Sequence, residues 1–295
     1  MNKLTIFATP KPFVDPHIKR IQLNAIGSWL QLGEEVEVVL VGDEEGYSEV
    51  VNKFNISRRP QVSRNEWGTP LVDSIFEQAR SVSQDNLLAY VNADIILTPD
   101  FVTTIQEVCQ IEERFLVVGR RWDLKIEKEI NFDGNWVDEL EQKMQSQGKL
   151  HNHAAIDYFV FPREIFTEIP PFAIGRAGWD NWMIYHALQR NWMVIDITPS
   201  VIVIHQDHDY AHLPEGKPHF DLDESNRNVK LGGGFTKSYD LLDVNWQLIN
   251  GKIRKIQPTL PRMLRKIERR VMPSKKEGWR WKLTRKLRQL RRMVS

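Results

Sequence analysis

The sequence predicts an α/β fold: a mostly parallel central sheet with helices on both faces, followed by a basic helical tail at the C-terminus. Short apolar segments alternate with segments of helical periodicity, which favours parallel strands joined by helices. The charge distribution indicates that the C-terminal tail is a distinct, basic segment. Residues 252–295 hold 17 basic and two acidic side chains, whereas residues 1–251 hold 23 basic and 37 acidic ones. The acidic body and the basic tail therefore need separate explanations.

The first half of the chain alternates between the two kinds of segment. Strands are predicted at Leu4–Ala8, Val36–Val41, Leu87–Val91 and Phe115–Val118, and helices at residues 17–32 and 70–81. Thr98 is predicted to cap another helix, with Pro99 at its first position and Asp100 in its first turn. In the second half, residues 156–161 and 193–204 have the pattern of strands, and Trp179–Gln189 has that of a helix.

We divide the chain into an α/β domain at residues 1–210, a polar segment at 211–251 that covers and closes the site, and the basic tail at 252–295. A single cysteine, Cys109, excludes a disulfide framework and a multi-cysteine zinc site. No apolar run is long enough for a membrane-spanning helix, and the N-terminus lacks the pattern of a signal peptide. We therefore expect a reduced, cytoplasmic compartment.

In parallel sheets, ligands bind beyond the carboxyl ends of the strands. This rule selects four polar segments that directly follow apolar strands, at residues 9–12, 42–45, 92–94 and 119–123. In the third segment, Asp94 follows a predicted buried strand, where an unpaired carboxylate is costly. Asp94 either holds a divalent cation that grips phosphate oxygens or caps its turn, and position alone does not separate the two.

Two further candidates lie in the second half of the chain. His205 begins a polar cluster after an apolar strand, and imidazole with carboxylate suits a transition metal; His208 is an alternative ligand, and an exposed polar loop is the other interpretation. Asp180 lies in the first turn of a predicted helix, either as an ordinary helix acid or as a functional carboxylate. The neighbouring Trp179 and Trp182 could stack on a sugar ring or belong to the core.

Arginines mark two possible anion sites. Arg120 and Arg121 follow a predicted strand and could hold an anion bidentately or form surface salt bridges. Arg64 and Asn65 precede a predicted helix, whose N-terminus favours phosphate. The sequence lacks the motifs of P-loop NTPases, dinucleotide oxidoreductases, serine hydrolases with a nucleophile elbow, and zincins.

Taken in order, these residues resemble the GT-A glycosyltransferases, a family with a Rossmann-like sheet. The resemblance extends over about residues 4–212. Its elements are the loop at 9–12, Gly42-Asp43 after the second strand, Asn92-Ala93-Asp94 at the place of the family's Asp-x-Asp metal motif, Gly178-Trp179-Asp180 and His205. Residues 65–70, 119–123 and 157–163 resemble a little-characterised subgroup. Asn92 departs from the pattern, which usually has aspartate there.

The resemblance implies a role for each matching residue. Asp180 would be the catalytic base, and Asp94 with His205 would hold the metal. Donor binding would fall to Thr9, Pro10, Lys11, Asp43, Arg64, Asn65, Asn92 and Arg120, and acceptor binding to Arg121, Asp157, Arg176, Trp179 and Asn181.

The activity that the resemblance implies is metal-dependent glycosyl transfer, in the setting of polysaccharide biosynthesis. A sugar would pass from a UDP- or GDP-sugar to a glycan or lipid-linked acceptor, with Mn²⁺ or Mg²⁺ as cofactor and with inversion at the anomeric carbon. A sugar nucleotidyltransferase is one alternative, although residues 9–12 lack the glycine-rich, lysine-containing loop expected of it. A non-catalytic glycan-binding module with a degenerate site is the other, because Asn92 replaces the expected aspartate.

The tail contains one apolar helical face flanked by arginines, formed by Trp279, Leu283, Leu287, Leu290 and Met293. Cationic amphipathic helices of this composition lie on anionic membranes. A helix docked on the acidic body is an alternative; nucleic-acid binding is another, and we do not expect it. The sequence thus predicts a peripheral location on the inner face of a membrane.

Overall fold

The computed structural model describes residues 3–83, 85–207 and 222–294. Two sheets and their covering helices make up this part of the chain. The strands are β1 (Leu4–Ala8), β2 (Val36–Val41), β3 (Ser57–Arg59), β4 (Leu87–Val91), β5 (Ile95–Leu97), β6 (Phe115–Val118), β7 (Trp122–Leu124), β8 (Lys149–Leu150), β9 (Tyr158–Pro162), β10 (Met193–Asp196), β11 (Val203–Gln206), β12 (Trp246–Ile249) and β13 (Lys252–Lys255). The helices are α1 (Pro16–Trp29), α2 (Tyr47–Phe54), α3 (Val72–Val82), α4 (Asp100–Cys109), α5 (Trp136–Gln147), α6 (Trp179–Gln189), α7 (Asp223–Leu231), α8 (Leu260–Val271) and α9 (Gly278–Met293).

The larger sheet has nine strands in the order β13-β12-β10-β6-β9-β4-β1-β2-β3. Its strands are mostly parallel; β9 runs antiparallel to β4 and β6, and β13 runs antiparallel to β12. The predicted fold class, a mostly parallel sheet in an α/β fold, is confirmed.

The central strands are buried on both faces, which explains their uninterrupted apolar sequences. Alternate residues of β1 enter different cores: Ile6 packs in a cluster with Trp29 of α1 and Phe101 of α4. Phe7 packs in the opposite cluster with Phe76 of α3 and with α6. Helices therefore cover both faces, as predicted.

A second, four-stranded sheet lies beside the first, in the order β5-β11-β7-β8. The segment 193–204, predicted as one strand, is two strands in different sheets. The Asp196 carboxylate accepts a hydrogen bond from the backbone N–H of Thr198 at 2.9 Å, and this turn separates β10 from β11. The prediction was wrong because the apolar pattern continues across the turn.

Three helix starts differ from the sequence prediction, and α3, predicted from residue 70, begins at Val72. The first helix begins at Pro16 and is capped by Asp15, whose carboxylate accepts from the backbone N–H groups of His17 and Ile18 at 2.8 and 2.9 Å. Thr98 does not cap α4, which begins at Asp100 with no side-chain cap. Its hydroxyl contacts the Asp100 carboxylate and, at 3.1 Å, the carbonyl of Ile202, so it meets acceptors rather than the backbone N–H groups of the helix.

The C-terminal region starts within the large sheet. Lys252–Lys255 forms β13, which pairs with β12 at the sheet edge, so the basic segment from 252 onward begins inside this hairpin. The two remaining helices, α8 and α9, pack against each other. Within the described residues, no helix has the length and apolar character needed to cross a membrane.

Candidate active site

A cavity of about 590 Å³ opens at the carboxyl ends of β1 and β4. This is the edge that the parallel-sheet rule selects. Eleven of the residues that the sequence singled out line it: Thr9, Pro10, Lys11, Asn92, Asp94, Arg121, Asp157, Arg176, Trp179, Asp180 and His205.

The loop after β1 is held in place by α1 and α2. Gln22 clamps Lys11 by accepting from its backbone N–H at 2.6 Å and donating to its carbonyl at 2.9 Å. The Tyr47 hydroxyl donates to the carbonyl of Pro10 at 2.6 Å. Burial lowers the pKa of Lys11, with Asp94 opposing and Arg176 adding to the shift. The loop therefore presents a partly desolvated cation to the cavity.

Asp94 and His205 meet because β5 and β11 are paired. Nε2 of His205 lies 3.6 Å from a carboxylate oxygen of Asp94, and Nδ1 lies 3.2 Å from one of Asp123 on β7. Burial by itself would lower the pKa of His205, but the neighbouring carboxylates of Asp123 and Asp94 raise it to about 9. His151 holds the other oxygen of Asp123 at 2.6 Å.

This donor set suits a divalent cation that is shared with a substrate. Within the described residues, no group of three or more His, Cys, Asp or Glu side chains could hold a metal ion. Asp94 and His205 supply one carboxylate and one imidazole, which Mn²⁺ accepts. Cations that bind nucleotides commonly use one or two protein ligands and complete their shell with phosphate oxygens and water. The pair fits that arrangement.

Asn92 acts on its neighbours rather than on the pair just described. Its amide nitrogen donates to the Asp157 carboxylate at 2.9 Å, and its amide oxygen accepts from the Tyr90 hydroxyl at 2.9 Å. Arg121 donates to the same oxygen of Asp157 at 2.6 Å. The second carboxylate oxygen of Asp157 and the Thr9 hydroxyl are buried with no hydrogen-bond partner among the described residues. Such atoms on a cavity wall are typical of ligand sites.

Asp180 lies in the first turn of α6, after Gly178. Burial raises its pKa from 3.8 to about 6, although the backbone N–H groups of Asn181 and Gly178 oppose the shift. A helix start favours the ionised form of a carboxylate, but burial has the larger effect on the pKa of Asp180. At pH 7 the group is still mostly ionised and close to its pKa, which suits a general base. Gly178 has φ +108°, and a Cβ there would approach Val229 of α7.

The two tryptophans beside Asp180 are core residues. Trp179 packs edge-on against Tyr90 with ring centroids 5.1 Å apart, and Trp182 stacks on His186 at 4.5 Å. Trp179 borders the cavity, yet its ring is only 5% exposed. The exposed aromatic ring on the cavity wall is Trp67, which is 51% exposed. The Arg227 guanidinium lies over this ring, 5.8 Å from its centroid, and the exposed part of Trp67 could stack on a ligand as was expected of Trp179.

Helix α7 supports one wall of the cavity. Glu224 accepts from Arg176 at 2.6 Å and from the Asn65 amide at 2.8 Å. Asn228 of α7 accepts from the backbone N–H of Ala173 at 2.8 Å. The first described residues of the predicted covering segment thus pack on the residues that precede α6.

Five predicted binding residues do not line the cavity. Asp43 pairs with Arg58, Arg64 pairs with Glu44 at 2.6 Å, and Asn65 organises its own turn by accepting from Trp67 and Thr69. Arg120 donates to the carbonyl of His151 at 2.6 Å, and Asn181 donates to that of Tyr239 at 2.7 Å. His208 lies outside the described residues.

Several residues of the site were not predicted from the sequence. Asp123 ends the Arg-Arg-Trp-Asp segment, where only the arginines were predicted as site residues. Its carboxylate contacts His205. Trp67 carried a signal as an aromatic residue between polar residues and a glycine. Gln22 and His151 had none, because each acts through a partner that the fold supplies.

Comparisons with known proteins found matches among solved structures alone. No protein-family model matches the sequence, and no curated protein matches it. Among solved structures, the chain is similar to glucosyl-3-phosphoglycerate synthase from Mycobacterium tuberculosis, at 12% identity over 88% of this chain and 89% of that one, with a TM-score of 0.48. The same protein in complex with Mn²⁺, UDP-glucose and phosphoglyceric acid is 12% identical over 88% of each chain, with a TM-score of 0.49. With Mg²⁺ and UDP bound, that protein is 14% identical over 88% of this chain and 89% of that one, with a TM-score of 0.47.

Proposed function

We propose that this chain is a metal-dependent glycosyltransferase that moves a sugar from a nucleoside-diphosphate donor to a hydroxyl of a glycan or lipid-linked acceptor. One observation supports it above the others: Asp94, His205 and Asp180 line the same cavity. Transfer from such a donor needs charge stabilisation of the departing diphosphate and a base for the attacking hydroxyl. This cavity contains residues of both kinds.

The donor would lie on the loop after β1 and on the neighbouring cations. Lys11 lines the cavity and would bring positive charge to a diphosphate, whereas the charge of Arg121, which also lines it, is paired with Asp157 and Asp123. Because Gln22 and Tyr47 already hold the loop, little ordering would be needed on binding. Trp67 would offer a stacking face for the base or the sugar.

Asp94 and His205 would hold Mn²⁺ or Mg²⁺. The bound cation would supply positive charge to the leaving diphosphate. His205 must lose its proton to act as a ligand, and Asp123 would then keep the ring oriented through its Nδ1. The glucosyl-3-phosphoglycerate synthase structures contain the same classes of ligand, Mn²⁺ or Mg²⁺ with UDP or UDP-glucose.

Asp180 would take the proton of the acceptor hydroxyl as that oxygen attacks the anomeric carbon. The bond from the anomeric carbon to the diphosphate oxygen breaks at the same time, and the electron pair leaves with the nucleoside diphosphate. Attack from the face opposite the leaving group inverts the anomeric configuration. Asp157, held by Asn92 and Arg121, would accept a hydrogen bond from the acceptor with its second carboxylate oxygen.

Donor turnover tests the proposal. UDP- and GDP-sugars are incubated with the protein, with and without Mn²⁺, and release of UDP or GDP is measured. We expect Mn²⁺-dependent release that Asp94→Ala abolishes, together with weaker Mn²⁺-dependent UDP or GDP binding, because the variant loses the carboxylate ligand. His205→Ala should weaken that binding less.

Asp133→Ala is the matched control, because it removes an exposed carboxylate outside the cavity and should leave release and binding unchanged. Equal nucleotide affinity of Asp94→Ala and the parent, with Mn²⁺ present, would contradict the metal assignment. Donor binding without release or transfer would instead indicate a non-catalytic binding module.

A further inference from the structure

The C-terminal helix pair is attached to the body through buried charges. Glu268 of α8 is fully buried and accepts from Arg288 and Arg291 of α9 at 3.0 and 3.1 Å. Arg265 of α8 reaches Asp243 of the body at 2.7 Å. Arg265, Arg288 and Arg291 therefore face inward, where carboxylates from the body and from α8 meet them.

The apolar stripe of α9 consequently faces outward. Trp279 is 71% exposed, Leu283 36%, Leu290 47% and Met293 81%. The sequence left open whether α9 docks on the body or binds a membrane. In the structure α9 does dock on the body, but through the face opposite the apolar stripe. Four of the five stripe side chains remain exposed, and the fifth, Leu287, is half-buried.

Helix α8 adds exposed apolar side chains to the same unit. Leu260 is 56% exposed, Met263 55% and Ile267 45%, while Leu264 between them is buried. Of the twelve large apolar side chains that are exposed among the described residues, eight lie between residues 260 and 294. Exposed apolar groups that concentrate in one small unit mark an interaction surface.

Basic side chains surround these apolar groups. Glu277 is the one exposed acid between residues 260 and 294, since Glu268 is buried. The exposed basic residues in this range are Lys266, Arg270, Lys275, Lys276, Arg280, Lys282, Arg285, Lys286 and Arg292. A partner for this surface must therefore be both negatively charged and apolar.

We propose that the exposed faces of α8 and α9 form a docking surface for an anionic lipid membrane. Lipid headgroups supply the negative charge, and the acyl boundary beneath them takes up the apolar side chains. Each basic residue near such a surface adds to the electrostatic attraction. Nucleic acid would match the positive charge but leaves the apolar stripe unexplained.

The segment between α7 and β12 joins this surface to the cavity. Arg269 of α8 donates to the carbonyl of Ser238 at 3.2 Å. The neighbouring Tyr239 donates through its backbone N–H to the carbonyl of Asn181 at 3.2 Å, and Asn181 follows Asp180 in α6. If the proposed function holds, the membrane-bound unit is thus fastened beside the catalytic base, which favours a lipid-linked acceptor.

Vesicle binding by the full chain tests the docking surface. Co-sedimentation is measured with phosphatidylcholine vesicles that contain or lack phosphatidylglycerol. We expect binding only to the anionic vesicles, weakening as salt rises. Leu283→Gln/Leu290→Gln should lower the partition coefficient about tenfold or more, because two side chains lose their apolar contact with lipid.

Ile111→Gln/Leu231→Gln is the matched control, since these residues are similarly exposed, at 50% and 37%, and lie outside the helix pair. The control should bind as the parent does. Thermal unfolding midpoints equal to the parent's would show that both variants fold. Lys282→Gln/Lys286→Gln should also weaken binding to the anionic vesicles.

Equal partitioning of Leu283→Gln/Leu290→Gln and the parent would overturn the proposal, as would failure of the parent to bind anionic vesicles. If that failure came with binding of an RNA oligonucleotide, or with self-association that the leucine substitutions abolish, the surface would serve that partner instead. The assay contains no nucleotide sugar. Vesicle binding by Asp94→Ala therefore separates this proposal from the proposed function.

Discussion

Asn92 stands where the resemblance to GT-A glycosyltransferases leads one to expect an aspartate, and its contacts give the physical reason. Its amide donates to Asp157 and accepts from Tyr90. A second carboxylate at position 92 would face Asp157 at hydrogen-bond distance and could not donate to it. The residue thus holds another carboxylate in place, and only one acid of the motif, Asp94, is available to a cation.

Asn92→Asp should therefore lower stability without improving metal binding. Two carboxylates would meet where a hydrogen bond now forms, which costs on the order of 1–3 kcal/mol. The free energy of unfolding at pH 7 and the Mn²⁺ affinity measure the two effects. Asn131→Asp, in an exposed turn, is the control and should change neither. Tighter Mn²⁺ binding by Asn92→Asp would show that position 92 reaches the cation.

Asp180→Asn should lower kcat about 100-fold, the usual range for loss of a general base, with little change in donor affinity. Because burial raises the pKa of Asp180 to about 6, the parent's kcat should fall as pH drops below that value. Asp138→Asn, in the first turn of α5 and exposed, is the control. Product analysis should show inversion. Retention of the anomeric configuration, or a near-normal kcat of Asp180→Asn, would show that Asp180 orients the acceptor and is not the base.

The same substitution has an independent readout in stability. The folded state binds a proton at Asp180 more tightly than the unfolded state, since the pKa rises from 3.8 to about 6 on folding. Above pH 6 the ionised group therefore destabilises the folded state. Asparagine is neutral at every pH, so the variant should gain in unfolding midpoint over the parent at pH 7 and lose that gain by about pH 4. A pH-independent difference would contradict the raised pKa.

At the scale of elements, the docking of α9 depends on one buried acid. Glu268 is fully buried and faces Arg265, Arg288 and Arg291. Removing the carboxylate from such a cluster leaves buried positive charges without their counter-charge, which costs about 3–5 kcal/mol.

Glu268→Ala should consequently release α9. We expect faster trypsin cleavage within Gly278–Met293 and a lower unfolding midpoint. Glu277→Ala removes the other acid of the basic segment, which is exposed, and should change stability by less than about 0.5 kcal/mol. Equal cleavage of the two variants would show that packing, rather than the buried charges, holds the helix.

At the scale of the whole molecule, the charges of body and tail are linked by a few buried pairs. Asp240 and Asp243 meet Arg265, Arg269 and Arg291 of the helix pair at distances of 2.7 to 3.8 Å. Most of the remaining basic residues of α8 and α9 stay exposed. The molecule therefore combines an acidic body with a separate, strongly basic and partly apolar surface, as a membrane-docked enzyme would require.

Several elements could be predicted from sequence because their signal is local. The bounds of β1, β2, β4, β6 and α6 match the predicted ones. A strand covered on both faces needs an unbroken apolar sequence, and a helix shows its period within a few turns. The edge of the sheet that holds the cavity, with Asp94, followed from the parallel-sheet rule, whereas only the resemblance placed Asp180 and His205 in the same site as Asp94.

Contacts between distant segments were decided by the tertiary structure alone. Nothing near His205 in sequence indicates that Asp123 will lie beside it, because β7 and β11 meet only in the second sheet. The amphipathic pattern of α9 predicted two faces but could not say which one meets the body. Buried carboxylates, Glu268 from α8 and Asp240 from the body, draw the arginines inward, and the apolar stripe remains outside. A sequence pattern defines the faces of an element; the partners that each face meets depend on how the rest of the chain folds.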